Sequence, residues 1–487
     1  MKMKRVNFGI IVLLLAMVTT TCTKEKSDLS FNDDPILKAA KVENVVVINP
    51  SGGDDTQNIL DAFEAAKAEG PGSTVYLSAG TFYVSKPVAV ADFNGTFKGA
   101  GKDRTMIQVL DGITFPLHAD DTPKNIGGGF WSDMFVFYMD EEEDPLNMTV
   151  CNLSFYFNRP TVVYTPPFYP GSYQCVQSIV TFTGKTNAIY DESEVNVHLY
   201  NLGFEGENST EYVNGYSVES AIYVIGEGIL DADDNFLDDD VTLSKVLIED
   251  CDFHSLNTGM ALSEQSGSKV LIRDNYFSDM LMNSIFCWEI DNSQYEITKN
   301  TLDCAYGADI VFYNDIWNVP QEEPSEILIH HNMINASEVA DGIIISDFCY
   351  WINDNKSLDV NIMSNKFNLN TSWGGIFTWA STDLFIGSNS FSGTAGYGVD
   401  AGYGVTDRML MRGNNFNHLT ALYAAVLLEE GSSNCTVIGG DNATNVLDLG
   451  TNNILTGVTA GASPGISNHE AAINKIKKMH PRFNPLQ

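Results

Sequence analysis

The sequence predicts an all-β solenoid, a parallel β-helix with long inserted loops and a helix over its N-terminal end, and three observations carry the prediction. Between Val246 and Phe416 one phrase recurs: apolar, any, apolar, two polar, Asn, any, large apolar, as in Val270-Leu-Ile-Arg-Asp-Asn-Tyr-Phe277, Ile327-Leu-Ile-His-His-Asn-Met-Ile334 and Leu384-Phe-Ile-Gly-Ser-Asn-Ser-Phe391. The last residues of its seven copies are spaced by 24, 25, 32, 33, 24 and 25, and a period of that size marks one supersecondary unit stacked on the next. Within the phrase, apolar and polar residues alternate, which is a strand signal, and helical periodicity is scarce.

Each element follows from that frame. A single coil cannot bury its apolar face, but stacked coils place Ile248, Ile272, Ile297, Ile329, Ile362, Ile386 and Met411 in one interior column. Asn275, Asn300, Asn332, Asn365, Asn389 and Asn414 recur where the strand must turn. Asn tolerates left-handed backbone angles, and its amide can bond the equivalent amide about 4.8 Å above. A structural ladder is therefore expected of these six, not a ligand site. Between the buried positions an outward column holds Leu247, Leu271, Leu328, Phe385 and Leu410, interrupted by Glu296 and Asn361. An apolar stripe of that length is expected to be covered by a loop, the C-terminal tail or a partner. On the neighbouring outward column, Glu249 beside Arg273 reads as a surface ion pair of little worth.

The N-terminal segment, residues 1–21, reads as an export signal. Lys2, Lys4 and Arg5 precede the apolar run Phe8 to Val18, and small residues lead to Cys22. It resembles a bacterial lipoprotein signal with Cys22 as the lipidated residue, although Thr19 and Thr21 stand where Leu and Gly or Ala are usual. Membrane contact is then expected through that lipid only, with 22–44 as a tether and the outer membrane or cell surface of a Gram-negative bacterium as the address. The chain carries 63 acidic and 27 basic residues, and losing the signal moves its net charge from −36 to −39. Such a surface repels nucleic acid, which is excluded as a partner, and repels polyanionic glycans unless a basic patch intervenes. With Cys22 lipidated, seven of the eight cysteines remain. Cys251, Cys287, Cys304 and Cys349 lie in or beside apolar strands as small buried thiols, and neither Cys-x-x-Cys nor Cys/His spacing supports a metal.

From Val45 the chain opens with a helix signal. Asp54-Asp55-Thr56 reads as its N-cap, Ile59, Leu60, Phe63 and Ala66 as its apolar face, and Gly70-Pro71-Gly72 as its stop. Strand, turn and strand follow in Gly72-Ser-Thr-Val-Tyr-Leu-Ser-Ala-Gly-Thr-Phe-Tyr-Val84. These residues, with Gly53-Asp-Asp-Thr56, Ala79-Gly80-Thr81, Gly99-Ala-Gly101 and Thr105, resemble the N-terminal cap of the pectin-lyase-like right-handed β-helix superfamily, Ser78 replacing its usual Pro. The resemblance implies a right-handed β-helix over 45–460 with a cap at 45–109. Segments 110–150, 157–178 and 205–240, rich in Pro, Gly and acidic clusters, read as long loops, and 461–487 as a tail with a short helix. Asp231, Asp233 and Asn235 match the first spacings of a calcium loop, but Phe236 and Thr242 stand where Gly and Glu are needed, so the segment reads as a solvated acidic loop and no cofactor is assigned.

A candidate site emerges from a second strand in each coil, beginning seven to nine residues after the phrase. The ends of these strands gather Glu264, Glu289, Asp315 and Asp347 as acid/base candidates, with Trp288, Tyr313, Trp317, Trp351 and Trp379 as flat faces for sugar rings. Aromatic faces and carboxylate acceptors suit a polysaccharide partner. The superfamily's own motifs are largely missing. Of the polygalacturonase set only Asp341-Gly342-Ile343 resembles the Asn-Thr-Asp element, preceded here by Ala340, and Cys287-Trp-Glu-Ile-Asp291 echoes the pectate-lyase Trp-x-Asp-His. No Lys, Arg or His stands within the candidate strands, as a lyase needs. Two readings follow: a carbohydrate-active protein, hydrolase rather than lyase, and a non-catalytic surface β-helix that binds glycans or proteins.

Overall fold

The structure, a computed structural model, describes residues 44–111, 133–138, 146–157, 176–183, 195–208, 218–225, 243–314, 324–347, 350, 356–439 and 444–460. The signal, Cys22, the tether to residue 43, Cys349, the acidic segment 231–240 and the tail 461–487 lie outside the described residues.

Among the described residues, thirty-three strands form one continuous system of pairings, each parallel to its neighbour in the coil above or below. Parallel strands need a crossover, and successive coils supply it, winding a right-handed β-helix. Three sheets run along it. Sheet A contains the phrase strands, among them Lys269–Arg273, Gln294–Thr298, Ser325–His330 and Leu358–Met363. Sheet B starts directly after the Asn corner, as in Thr301–Cys304 and Met333–Glu338. Sheet C holds the candidate strands, such as Ala308–Asn314, Asp341–Asp347 and Gly374–Thr382. In some coils one long strand, such as Tyr276–Asp291, bends through B into C.

The register is the expected one. Ile248, Ile272, Ile297, Ile329, Ile362, Ile386 and Met411 are partners in successive coils, and each is at most 1% exposed. On sheet B, Phe155, Phe204, Phe253 and Phe277 stack with centroids 4.5 to 5.4 Å apart. Leu302 and Ile334 interrupt that column before Phe367, Phe391 and Phe416 resume it at 4.6 and 4.7 Å. At the B–C corner the rings press against the backbone: a Cβ on Gly398 would lie 2.5 Å from Phe416, so only Gly fits there.

The corner amides pile up along the axis. Nδ2 of Asn275 donates to Oδ1 of Asn300 at 3.0 Å, and the pattern continues through Asn332, Asn365, Asn389 and Asn414 at 3.0 to 3.1 Å. Each Oδ1 also receives the backbone N–H of the Asn below, at 2.9 to 3.0 Å. One detail differs from expectation. The left-handed residue is not the Asn but the one before it: Asp274, Lys299, His331, Ser364 and Ser388 have φ of 54 to 58°, like Asp250 ahead of Cys251. That twist aims the next side chain inward, where its amide meets its neighbours.

Helix α1 (Thr56–Glu69) closes the N-terminal end, burying Ile59, Ala62, Phe63 and Ala66. Ala62 takes the place expected for Leu60, which is only partly buried against the core. Phe63 meets Phe93, Phe97 and Phe137 at 4.9, 5.0 and 5.8 Å, so the plug is continuous with the core. Asp54, not the N-cap Asp55, accepts the first-turn N–H, that of Thr56, at 3.0 Å. Strands Asp133–Tyr138 and Val218–Ile225 fall inside segments expected as loops, and they pair with neighbouring coils of sheet C.

The apolar stripe outside sheet A is only partly exposed. Leu247 and Leu271 are buried, Leu328, Phe385 and Leu410 half-buried, and the Arg412 guanidinium lies 5.5 Å from the Phe385 ring centroid. Beside it, Glu249 is no simple surface pair. Its Oε1 meets His198 Nε2 at 3.0 Å and its Oε2 receives Arg273 Nε at 2.7 Å, the carboxylate side chain being 14% exposed. The His198 contact first, then Arg273, holds its pKa below the usual value against the opposing effect of burial.

Removing one amide from the ladder tests its weight. Asn332→Ala strips two acceptor contacts at Oδ1 and donations to Asn365 Oδ1 and the Ile297 carbonyl, and is expected to cost on the order of 3 kcal/mol. Asn415→Ala, at an exposed position, is expected to stay within about 0.5 kcal/mol of wild type in thermal or denaturant unfolding.

Candidate active site

The outward face of sheet C is organised by the same stacking. Tyr223, Ala261, Phe286, Val311, Ile344, Phe377, Asp400 and Leu427 are register partners in successive coils, pointing away from the core that Ile285, Ile310, Ile343, Ile376 and Val399 fill. One position over, Ser263, Trp288, Tyr313 and Ser346 form a second outward column.

The expected site residues are distributed unevenly on this face. Trp288 and Tyr313 are vertical neighbours and half-buried, as a sugar-stacking pair would be. Phe286 lies 5.0 Å and Tyr223 5.8 Å from the Trp288 ring. Glu289, directly after Trp288, is half-buried with φ of 54° at the strand's end. The flanking registers Ser263–Trp288 and Gln265–Ile290 set the Glu264 backbone level with Glu289. The Glu264 side chain, and Asp315, Trp317 and Trp351 entirely, lie outside the described residues.

Two expectations are revised by geometry. Trp379 occupies a β-bulge, since Ile345 pairs with Thr378 and Ser346 with Ala380. Only 4% exposed, it packs with Ala308, Val311, Ile344 and Phe377, so it fills the outer layer and offers no open face. Asp347 is fully buried and anchors the chain that follows it. Its Oδ1 accepts the Tyr350 N–H at 3.1 Å and the Ser357 hydroxyl at 2.6 Å, and its Oδ2 accepts the N–H groups of Ser357 and Leu358 at 2.9 and 3.0 Å. A carboxylate with both oxygens so engaged is a loop foot, not an acid or base. Asn314, its register partner one coil away, adds a bond to the same Ser357 at 2.9 Å.

Two further buried carboxyls lie on this face. Asp341 begins its strand in register with Ala308, a member of the outward cluster, so it too faces out. Its Oδ1 accepts the Gly374 N–H at 2.9 Å, while Oδ2 has no hydrogen-bond partner among the described residues. Burial pushes its pKa up to about 8 against that one lowering contact. Asp400, two coils further on, stands in the middle column. Burial first, then the charges of Glu429 and Asp341, raise it well above the usual carboxylate range. Burial and Glu430 likewise raise Glu429. Tyr397 and Tyr423, 5.2 Å apart, line the same coils. Asp341 had a signal in the sequence, the partial Asp-Gly-Ile match. Asp400 had another: an acid in a column otherwise apolar from Phe286 to Phe377.

Comparison with known proteins bears on the fold. No family model matches the sequence, and no curated protein does. Among solved structures, the DFA-IIIase of Arthrobacter chlorophenolicus A6 without its lid superposes with a TM-score of 0.51 at 12% identity, covering 88% of this chain and 98% of that one. The two share one fold. It is the right-handed parallel β-helix. The Dettilon tailspike protein (TM-score 0.49, 13% identity, 84% of this chain and 68% of that chain) and the surface adhesin PfbA of Streptococcus pneumoniae (0.47, 16%, 79% and 92%) are further similar structures.

The buried carboxyls make stability depend on pH. A pKa raised by folding means the native state favours the protonated acid, so the stability tied to Asp341 is complete below about pH 4 and is lost as pH rises through about 8. In Asp341→Asn the fall in melting temperature between about pH 5 and about pH 8 is expected to be shallower than in wild type. Equal slopes would mean that Asp341 is not buried as described.

Proposed function

We propose that the protein is an exported lipoprotein, anchored through Cys22 at the outer membrane or cell surface, that binds a polysaccharide on the outward face of sheet C and hydrolyses it. The observation carrying this reading is the pair Asp341 and Asp400, which face the same way from one sheet, the charge of Asp341 adding to burial in raising Asp400. Two coil steps of about 4.8 Å along the axis and three residues along the strand separate their backbones. Glycoside hydrolysis needs two carboxyls flanking the scissile bond, one protonated and one able to ionise. Asp400, beside both Glu429 and Asp341, keeps its proton and serves as general acid. Asp341, with an N–H aimed at Oδ1, is the group that ionises and activates water. The half-buried Trp288 and Tyr313 supply the stacking floor in coils nearer the N-terminus. Hydrolysis is favoured over elimination because no Lys, Arg or His occupies these outward columns among the described residues.

The names of similar structures add limited support: a DFA-IIIase and a tailspike protein are known on this fold, and so is a surface adhesin. A second reading, a surface β-helix that binds glycans or proteins without turnover, is favoured by the closure of the site, where Asp341 and Asp400 are only 2% and 4% exposed.

Incubation with a polysaccharide panel, read as new reducing ends, separates the two. Turnover is expected, and Asp341→Asn and Asp400→Asn are each expected to lower it by about 100-fold or more while leaving binding intact. Binding with no turnover on any polysaccharide would leave the second reading in place. Trp288→Ala is expected to weaken binding by about 10-fold. Cys22→Ala is expected to move the protein from the membrane fraction to the soluble one.

A further inference from the structure

We infer that the polysaccharide held on sheet C is neutral, its sugars offering hydroxyls and carrying no carboxylate or sulfate. The inference rests on the site proposed above and names its substrate class. Its basis is the way charge is sorted between faces. Among the described residues, no basic side chain stands in the outward columns of sheet C, whose acidic members include Asp133, Asp341 and Asp400, with Glu429 beside Asp400. The basic residues lie elsewhere. Lys98, Lys245, Lys269, Arg273 and Arg412 are on the strands of sheet A, in its outward positions. Lys356, just ahead of a sheet A strand, and Arg408, just past the strand that ends at Asp407, are bound to Asp359, Asp383 and Asp407.

A uronate or sulfate lying along sheet C would have its charge desolvated with no cation facing it among the described residues. It would also oppose the ionisation that the proposed site asks of Asp341. A neutral sugar meets no such obstacle. Its hydroxyls donate to carboxyl oxygens, including Oδ2 of Asp341, which lacks a partner among the described residues, and its C–H faces lie on Trp288. A binding mode built from hydroxyl bonds and stacking is also nearly independent of salt, whereas one built on charge weakens as salt rises.

The test is a binding series on the intact mature protein by calorimetry or affinity electrophoresis. Neutral polysaccharides (a glucan, xylan, mannan and fructan) are compared with polygalacturonate and alginate, at low and high salt, for wild type, Trp288→Ala and Arg273→Glu. Binding of at least one neutral polymer, at least about 10-fold tighter than either polyuronate, unchanged by salt and weakened by Trp288→Ala, is the expected result. Polyuronate binding weakened by Trp288→Ala would overturn the neutral assignment and leave the sheet C site standing. Polyuronate binding abolished by salt and by Arg273→Glu, with no neutral polymer bound, would move the ligand to sheet A and overturn both. Failure of every polymer to bind would likewise remove the site, and this inference with it.

Discussion

The rest of the structure depends on the stacking of side-chain amides at the corner between sheets A and B. A buried amide has two donors and an acceptor to satisfy, and leaving one unmade costs a few kcal/mol. Asn332 meets the demand by bonding its equivalents one coil up and one coil down, together with the backbone at Ile297. Because every rung needs the next at the same height, slipping any coil by one residue would orphan several groups at once and turn each strand inside out. Hydrophobic burial drives the coils together, but many apolar registers would bury similar area. The ladder selects one of them.

Once the register is selected, the outward columns follow without further instruction. The position holding Ile344 must stand above Val311 and below Phe377, and the position holding Tyr313 above Trp288. The solenoid therefore converts a period in sequence into a line in space, and any functional face is a list of residues one coil apart. Insertions can then lengthen a coil without disturbing its neighbours, provided that the chain returns to the same place. Asp347 performs that return. With its four hydrogen bonds to Tyr350, Ser357 and Leu358 it secures the chain between sheets C and A.

These properties decide what could be read from the sequence. The period, the interior isoleucines and the Asn corner repeat, so coincidence was improbable and the core and its register were legible. The plug helix carried local signals in Asp54 to Thr56 and Gly70. The candidate site does not repeat, and there the reading depended on guessing which strand-end carboxylates stay open. Asp347 looked like an acid at the edge of an aromatic groove, yet its hydrogen bonds come from residues up to eleven positions away, a distance that no periodicity reports. Trp379 was misplaced by a bulge, which adds one residue to a strand and shifts everything after it. The half-buried network of His198, Glu249 and Arg273 spans three coils of unequal length, and only the shorter step was visible as a pair.

Burial of a carboxyl is not by itself a mark of function here, and Asp309 shows why. It is fully buried beside Cys304 inside the β-helix, bonded by the Ser284 hydroxyl at 2.9 Å, its other oxygen without a hydrogen-bond partner among the described residues, and desolvation raises it well above the usual range. No substrate reaches that position, because it points into the stack of rings and aliphatic side chains that the coils enclose. Asp309 is a buried carboxyl that the ladder and core are strong enough to carry. Asp341 differs from it by one step along the strand: Ala308, its register partner, faces out where Asp309 faces in. The same desolvation raises the pKa of Asp309, Asp341 and Asp400 alike, but Asp341 and Asp400 face the outer layer of sheet C. Whether a buried carboxyl in this fold faces the core or the outer layer is therefore decided by the direction its coil gives it, and that direction is set by the corner amides on the opposite side of the helix.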